Sequence, residues 1–131
     1  MKTLSVSRKL FDQTISFIQS SLDVRTLNHK VLSSNIANAE TPDYRAKDVP
    51  FQKVLEKRME GSLNVGLKRT HSRHLPEELD PEPGVEQTTE VVDIDREMAK
   101  LAENNVMFHA GVQTLVKKFE ALKFTITDIG R

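Results

Sequence analysis

From Ile94 onward the sequence repeats at alternating steps of four and three, through Met98, Leu101, Asn105, Phe108, Val112, Leu115, Phe119, Leu122, Ile126 and Ile129. Every member but Asn105 is apolar. A 3.5-residue period held for five heptads places all of these on one stripe of a helix, and no strand period produces it. At about 1.5 Å per residue, a helix from 94 to 129 is about 54 Å long. Asp93, Asp95 and Glu97 crowd its start, where negative charge suits the helix dipole and Asp93 can cap free amides. Gly130 stands just past its end, a usual stop. A stripe of this kind requires a partner helix.

The N-terminal segment supplies one. Phe11, Ile15, Ile18 and Leu22 repeat the same spacing, and Leu32 and Ile36 fall in their register. Arg25 and His29 take the seam positions between, while Leu27 and Val31 lie on another face. Thr41-Pro42 ends this helix, because the residue before a proline is driven out of the helical region. The expected fold is therefore all-α: two long terminal helices forming an antiparallel coiled-coil hairpin, with an irregular or weakly β, partly disordered middle segment. The divisions are 1–44 for the first helix and its Thr-Pro turn, 45–90 for an irregular, flexible middle, and 91–131 for the coiled-coil helix.

The middle reads as irregular for a compositional reason. Residues 61–90 hold three basic side chains (Lys68, Arg69, Arg73) against six acidic ones (Glu77, Glu78, Asp80, Glu82, Glu86, Glu90). Pro76, Pro81, Pro83 and Gly84 break it further, and its large apolar residues are isolated. Such a stretch buries too little surface to offset ordering entropy. Ser62 to Thr70 alternates loosely, which fits one short strand.

Charge is missing from three bands: Gln13 to Leu22, Val31 to Ala39 and Asn104 to Val116. An exposed amphipathic helix carries charge along its outer face, so a band without any is buried all round. Setting Ala39 against Ile94 in an antiparallel pair brings residue 22 near 111 and 13 near 120. Two helices cannot surround themselves, so other subunits must complete the cover. An isolated monomer is then expected to be only partly folded.

The 131 residues suit one small domain, and nineteen basic side chains balance nineteen acidic ones. That balance gives no global attraction to nucleic acid or to an anionic membrane, and neither nucleic-acid binding nor direct membrane insertion is expected. No apolar run approaches a membrane span. Met1 to Leu10 lacks a secretory apolar stretch, so no cleaved signal is expected. With no cysteine there is no disulfide, thiolate metal site or thiol nucleophile. His71 and His74 form a His-x-x-His spacing without a second ligand pair, and read as polar loop residues. His29 and His109 read as packed or surface histidines. No nucleophile elbow, phosphate-binding loop or dinucleotide fingerprint is present. No catalysis, cofactor or metal is expected. Asn105 in the apolar stripe reads either as a buried register-setter or as a surface residue where the seam drifts.

Asn35-Ile36-Ala37-Asn38-Ala39-Glu40-Thr41-Pro42-Asp43-Tyr44 closely resembles the Asn-Ile-Ala-Asn-Ala-x-Thr-Pro-Gly-Tyr signature of bacterial flagellar axial proteins. The continuation Arg45 to Phe51, the stretches Val92 to Met98 and Ala102 to Asn105, and Thr70 to Leu75 resemble the proximal rod members of that family. The resemblance runs along nearly the whole chain. It implies a structural subunit of the basal-body rod, whose terminal helices form the inner coiled-coil layer of a tubular axis. It further implies export through the flagellar export apparatus, and partners that are other rod subunits, further copies of itself, a FliE-type adaptor, the MS ring and the export gate. Ile36, Asn38, Thr41, Pro42 and Tyr44, with Asn35 and the two helical seams, are the assembly residues so implied. The signature has glycine where this chain has Asp43. Its Thr-Pro-Gly-Tyr turn suits type II, which needs a positive φ at the third residue, so Asp43 implies either a type I turn or local strain. The alternative function is a soluble helical adaptor or regulatory binding module.

Overall fold

The computed structural model describes residues 2–61 and 83–129, with side chains from 13 to 61 and from 83 to 127. Helix α1 spans Lys2–Ala37, strand β1 Lys47–Asp48, helix α2 Phe51–Met59, strand β2 Glu86–Gln87 and helix α3 Ile94–Ile129. The Ser62–Thr70 strand, the His71/His74 pair, the Glu77–Glu78 run, the Lys68/Arg69/Arg73 cluster and the Gly130 stop lie outside the described residues.

Helices α1 and α3 pack antiparallel along their length and form the hairpin read from the sequence. Helix α3 begins at Ile94, as its repeat predicts. Its first free amides find the expected partner: the Arg96 amide donates to Asp93 Oδ1 at 3.2 Å, which satisfies one orphan donor. The pairing also matches. Gly111 lies so close to Leu22 that an added Cβ would come within 2.9 Å of Leu22 Cδ2.

The segment between the helices differs from the irregular stretch expected. Residues 51–59 form α2, a short helix whose buried residue is Val54. Its apolar positions Phe51, Val54 and Leu55 turn toward α1, where Val24, Leu27 and Val31 form the face set apart from the seam. Val49 and Val85 close this small core. An ion pair from Arg58 to Asp23, 2.9 Å long, ties α2 to α1 at its far end. The weak β character is present as one antiparallel two-stranded ladder, Lys47 opposite Gln87 and Asp48 opposite Glu86. It is extended by the Ala46 amide donating to Glu90 O at 3.0 Å and the Thr88 amide to Ala46 O at 2.8 Å. Gly84, at φ +95°, lets the returning chain pass directly over Val54, where a Cβ would sit 2.9 Å from a methyl.

Candidate assembly surface

Two polar clusters lock the loop end of the hairpin. Asn35, at 0% exposure, uses all four hydrogen-bonding positions of its side-chain amide. Its Nδ2 donates to Lys47 O at 2.7 Å and to Glu97 Oε2 at 2.8 Å. Its Oδ1 accepts from the Lys47 amide at 2.9 Å and from the Tyr44 hydroxyl at 3.2 Å. One side chain therefore joins α1, β1, the turn tyrosine and α3. Glu97, itself buried, places its other oxygen 2.9 Å from Lys100 Nζ. Buried polar groups are retained when every partner is present, and this hub meets that condition.

Asn104 makes the second cluster about two turns further along α3. It is buried; its Nδ2 donates to Arg25 O at 2.9 Å, and its Oδ1 accepts from Asn28 at 3.3 Å. The Arg25 guanidinium lies 4.4 Å from the centre of the Phe51 ring, a cation–π distance. Burial lowers the pKa of Arg25 and nearby Glu103 raises it.

The Thr-Pro turn packs against this hub. Asn38 Nδ2 donates to Ser34 O at 2.8 Å, and Thr41 Oγ1 approaches Asn38 Oδ1 at 3.4 Å. The Tyr44 amide donates to Thr41 O at 3.2 Å, closing a four-residue turn with Pro42 and Asp43 at its centre. Asp43 has φ +61°. The turn thus keeps the left-handed third position of a type II turn, and of the two expectations the strained aspartate is the one realised.

Beyond Asn104 the packing changes. No described α3 residue from 105 to 127 is buried, and among the described side chains of α1 before Val24, those of 13–23, Ile18 alone is buried. Leu101, Phe108, Leu115 and Leu122 face α1 and are half-buried, as are Ile15, Leu22 and Ile36. The other half of the expected stripe does not turn inward. Ile94, Met98 and Phe119 are exposed, with Phe119 at 52%, Asn105 is exposed and Val112 half-buried. The positions that do turn inward are Glu97, Asn104 and Gly111, one residue earlier in each heptad. Within the chain the packed asparagine is thus Asn104, while Asn105 lies in the open. Val106, Met107, Val116, Phe124 and Ile126 add further exposed apolar surface. Thr41 and Pro42 are exposed at the turn.

Among the described residues, no helix is long and apolar enough to cross a membrane. What the geometry offers is a hairpin sealed at its loop end, with an apolar face running toward its termini. An exposed apolar surface of this extent marks a protein-interaction site.

No protein-family model matches the chain. Individual proteins do. The chain is 32% identical over 127 residues to the flagellar basal body rod protein FlgB of Bacillus subtilis, covering 90% of this chain and 96% of that protein. It is 31% identical over 125 residues to the protein of that name from Salmonella typhimurium, covering 85% and 91%. To that of Proteus mirabilis it is 35% identical over 117 residues, covering 77% and 84%. With similarity at this level over most of both lengths, the chain belongs to the FlgB family of flagellar basal body rod proteins.

Proposed function

We propose that this chain is a structural subunit of the proximal flagellar rod, which self-assembles through its terminal helices into the tubular axis between the MS ring with its export gate and the distal rod. The observation that carries this reading is the exposed apolar face of α3, exemplified by Met98 at 51%, Phe119 at 52% and Ile126 at 72%, on a chain related to rod proteins along most of its length. Its partners are then protein helices: other rod subunits, further copies of itself and a FliE-type adaptor. The locked loop end gives each subunit a fixed shape through which torque passes, and the apolar face supplies the adhesion. The chain leaves the cell through the flagellar export apparatus and resides in the basal body, within the periplasmic space. The assembly residues are those of the two helical seams and the Thr-Pro turn.

The test replaces the chromosomal copy with Leu115→Asp, on the seam, or Phe119→Asp, on the open face. Placing a charge in a dry helix interface costs several kcal/mol, so both variants lose motility while the Phe119→Asp monomer keeps its stability. Normal swimming by both would refute the reading.

A further inference from the structure

The two broad sides of the hairpin differ, and the difference says how neighbouring copies meet. One side carries the loop-end core: Val24 and Val31 of α1 pack there against Val49 and Val54. Phe17 lies seven residues before Val24, hence on the same row of α1. It projects past the end of α2 and is 47% exposed. Among the described residues, no further element packs on the opposite side. That side holds an open groove of about 300 Å³ lined by Arg25, Thr26 and His29 of α1 and by Asn104, Asn105, Phe108 and His109 of α3. Asn105 belongs to a row of α3 spaced by sevens: Met98, Asn105, Val112, Phe119 and Ile126. Three of these, Met98, Phe119 and Ile126, are between 51% and 72% exposed.

We propose that the bare side of one copy seats on the Phe17 side of the next, with the hairpins parallel and little axial offset. This rests on the rod-subunit reading and names the surfaces that it uses. Three observations select a second copy as the occupant. First, the row is about 42 Å long, so only a helix as long as those of this chain covers it, and the other side of the same hairpin presents one. Second, the charge-free stretches 13–22 and 104–116 overlap in height over residues 17–22 and 111–116, as the contact of Leu22 with Gly111 requires. Copies placed side by side without offset therefore set no like charges against each other along this band. Third, pairing a surface with itself closes at two copies, whereas joining two different surfaces continues, as a rod demands. A strip of these dimensions covers on the order of 500 Å² per copy, or about 1,000 Å² in total, the lower bound for a specific interface. Each subunit makes the contact twice, once through each side.

The absence of cysteine makes the test direct. Phe17→Cys is combined in one chain with Val112→Cys, Val116→Cys or Phe119→Cys in turn, spanning two turns of α3, and assembled rods are mildly oxidised. Residue 17 and these positions project from opposite sides of the hairpin and cannot bond within one chain, so disulfides form only between copies. The expected result is a ladder of dimers, trimers and longer products from at least one double variant, and monomer from every single variant. Dimers from Phe119→Cys alone, with no ladder, would show a two-fold pairing and overturn the proposal. Rods that assemble and support swimming yet give no disulfide in any combination would also overturn it, leaving the rod reading intact. Failure of the unmodified chain to enter rods would instead remove that reading and this inference together.

Discussion

At the loop end of the hairpin, Asn35, Glu97 and Asn104 are all buried and hydrogen-bonded, and Val24, Val31, Val49 and Val54 pack beneath α2. Toward the termini the same two helices continue with half-buried leucines between them and phenylalanines in the open. The two regions use the same local conformation but draw stability from different sources. The loop end closes on itself, because three separate segments return to one side chain. The terminal end leaves half of its apolar stripe uncovered, and exposed apolar surface contributes nothing to the stability of a lone chain. Rigidity and adhesion are thus placed at opposite ends of one hairpin.

The sharpest way to break this comparison is to remove the hub. Asn35→Leu leaves Glu97 Oε2 and the backbone amide and carbonyl of Lys47 without their partner, while Glu97 Oε1 keeps Lys100. A buried polar group left unsatisfied costs about 1–3 kcal/mol, and with three such groups chemical denaturation should register a loss of about 3 kcal/mol or more. A loss below about 1 kcal/mol would mean that the loop end is not sealed by Asn35. Amide exchange on a verified monomer should then separate the two regions. Protection at 31–37 and 94–104 should exceed that at 13–22 and 108–125 by about a hundredfold, equal to about 2.7 kcal/mol. Uniform protection along both helices would erase the distinction.

Glycines sharpen the comparison on a smaller scale. Gly84→Ala places a methyl at positive φ and 2.9 Å from Val54, so it should destabilise the fold by about 2 kcal/mol. Gly111→Ala meets only the flexible end of Leu22 and gains helix propensity; its effect on the melting temperature should be smaller and can take either sign. The smallest effect belongs to the turn. Asp43→Gly relieves the left-handed strain at φ +61° and should stabilise by up to about 1 kcal/mol. A lower melting temperature would show that the aspartate holds the turn through a contact of its own.

Much of the frame was legible in the sequence, for reasons particular residues make plain. Heptad spacing marked α3 from Ile94, and the acidic cluster marked its first turn through Asp93. Charge-free bands marked the height at which Leu22 meets Gly111. Two features were hidden. Helix α2 has nine residues and one buried side chain, Val54, too few for a periodic signal amid charged neighbours. The inner stripe of α3 is completed by Glu97, Asn104 and Gly111, none of which reads as a core residue. Polarity pointed these outward, whereas reciprocal hydrogen bonds with Asn35, Asn28 and Arg25 bring the first two inward. The expectation of a monomer weakly ordered along both helices is narrowed by the small core under α2, which gives the loop end support of its own.

The partners Asn35 and Glu97 stand 62 residues apart. At the usual pace of synthesis, about 5–20 residues per second, a ribosome needs roughly 3–12 seconds to travel from one to the other. Throughout that interval the first helix is complete, its Thr-Pro turn and α2 are emerging, and the carboxylate that locks them does not yet exist. The nascent chain therefore passes several seconds without the residue that locks its loop end, before its own last third arrives to close it.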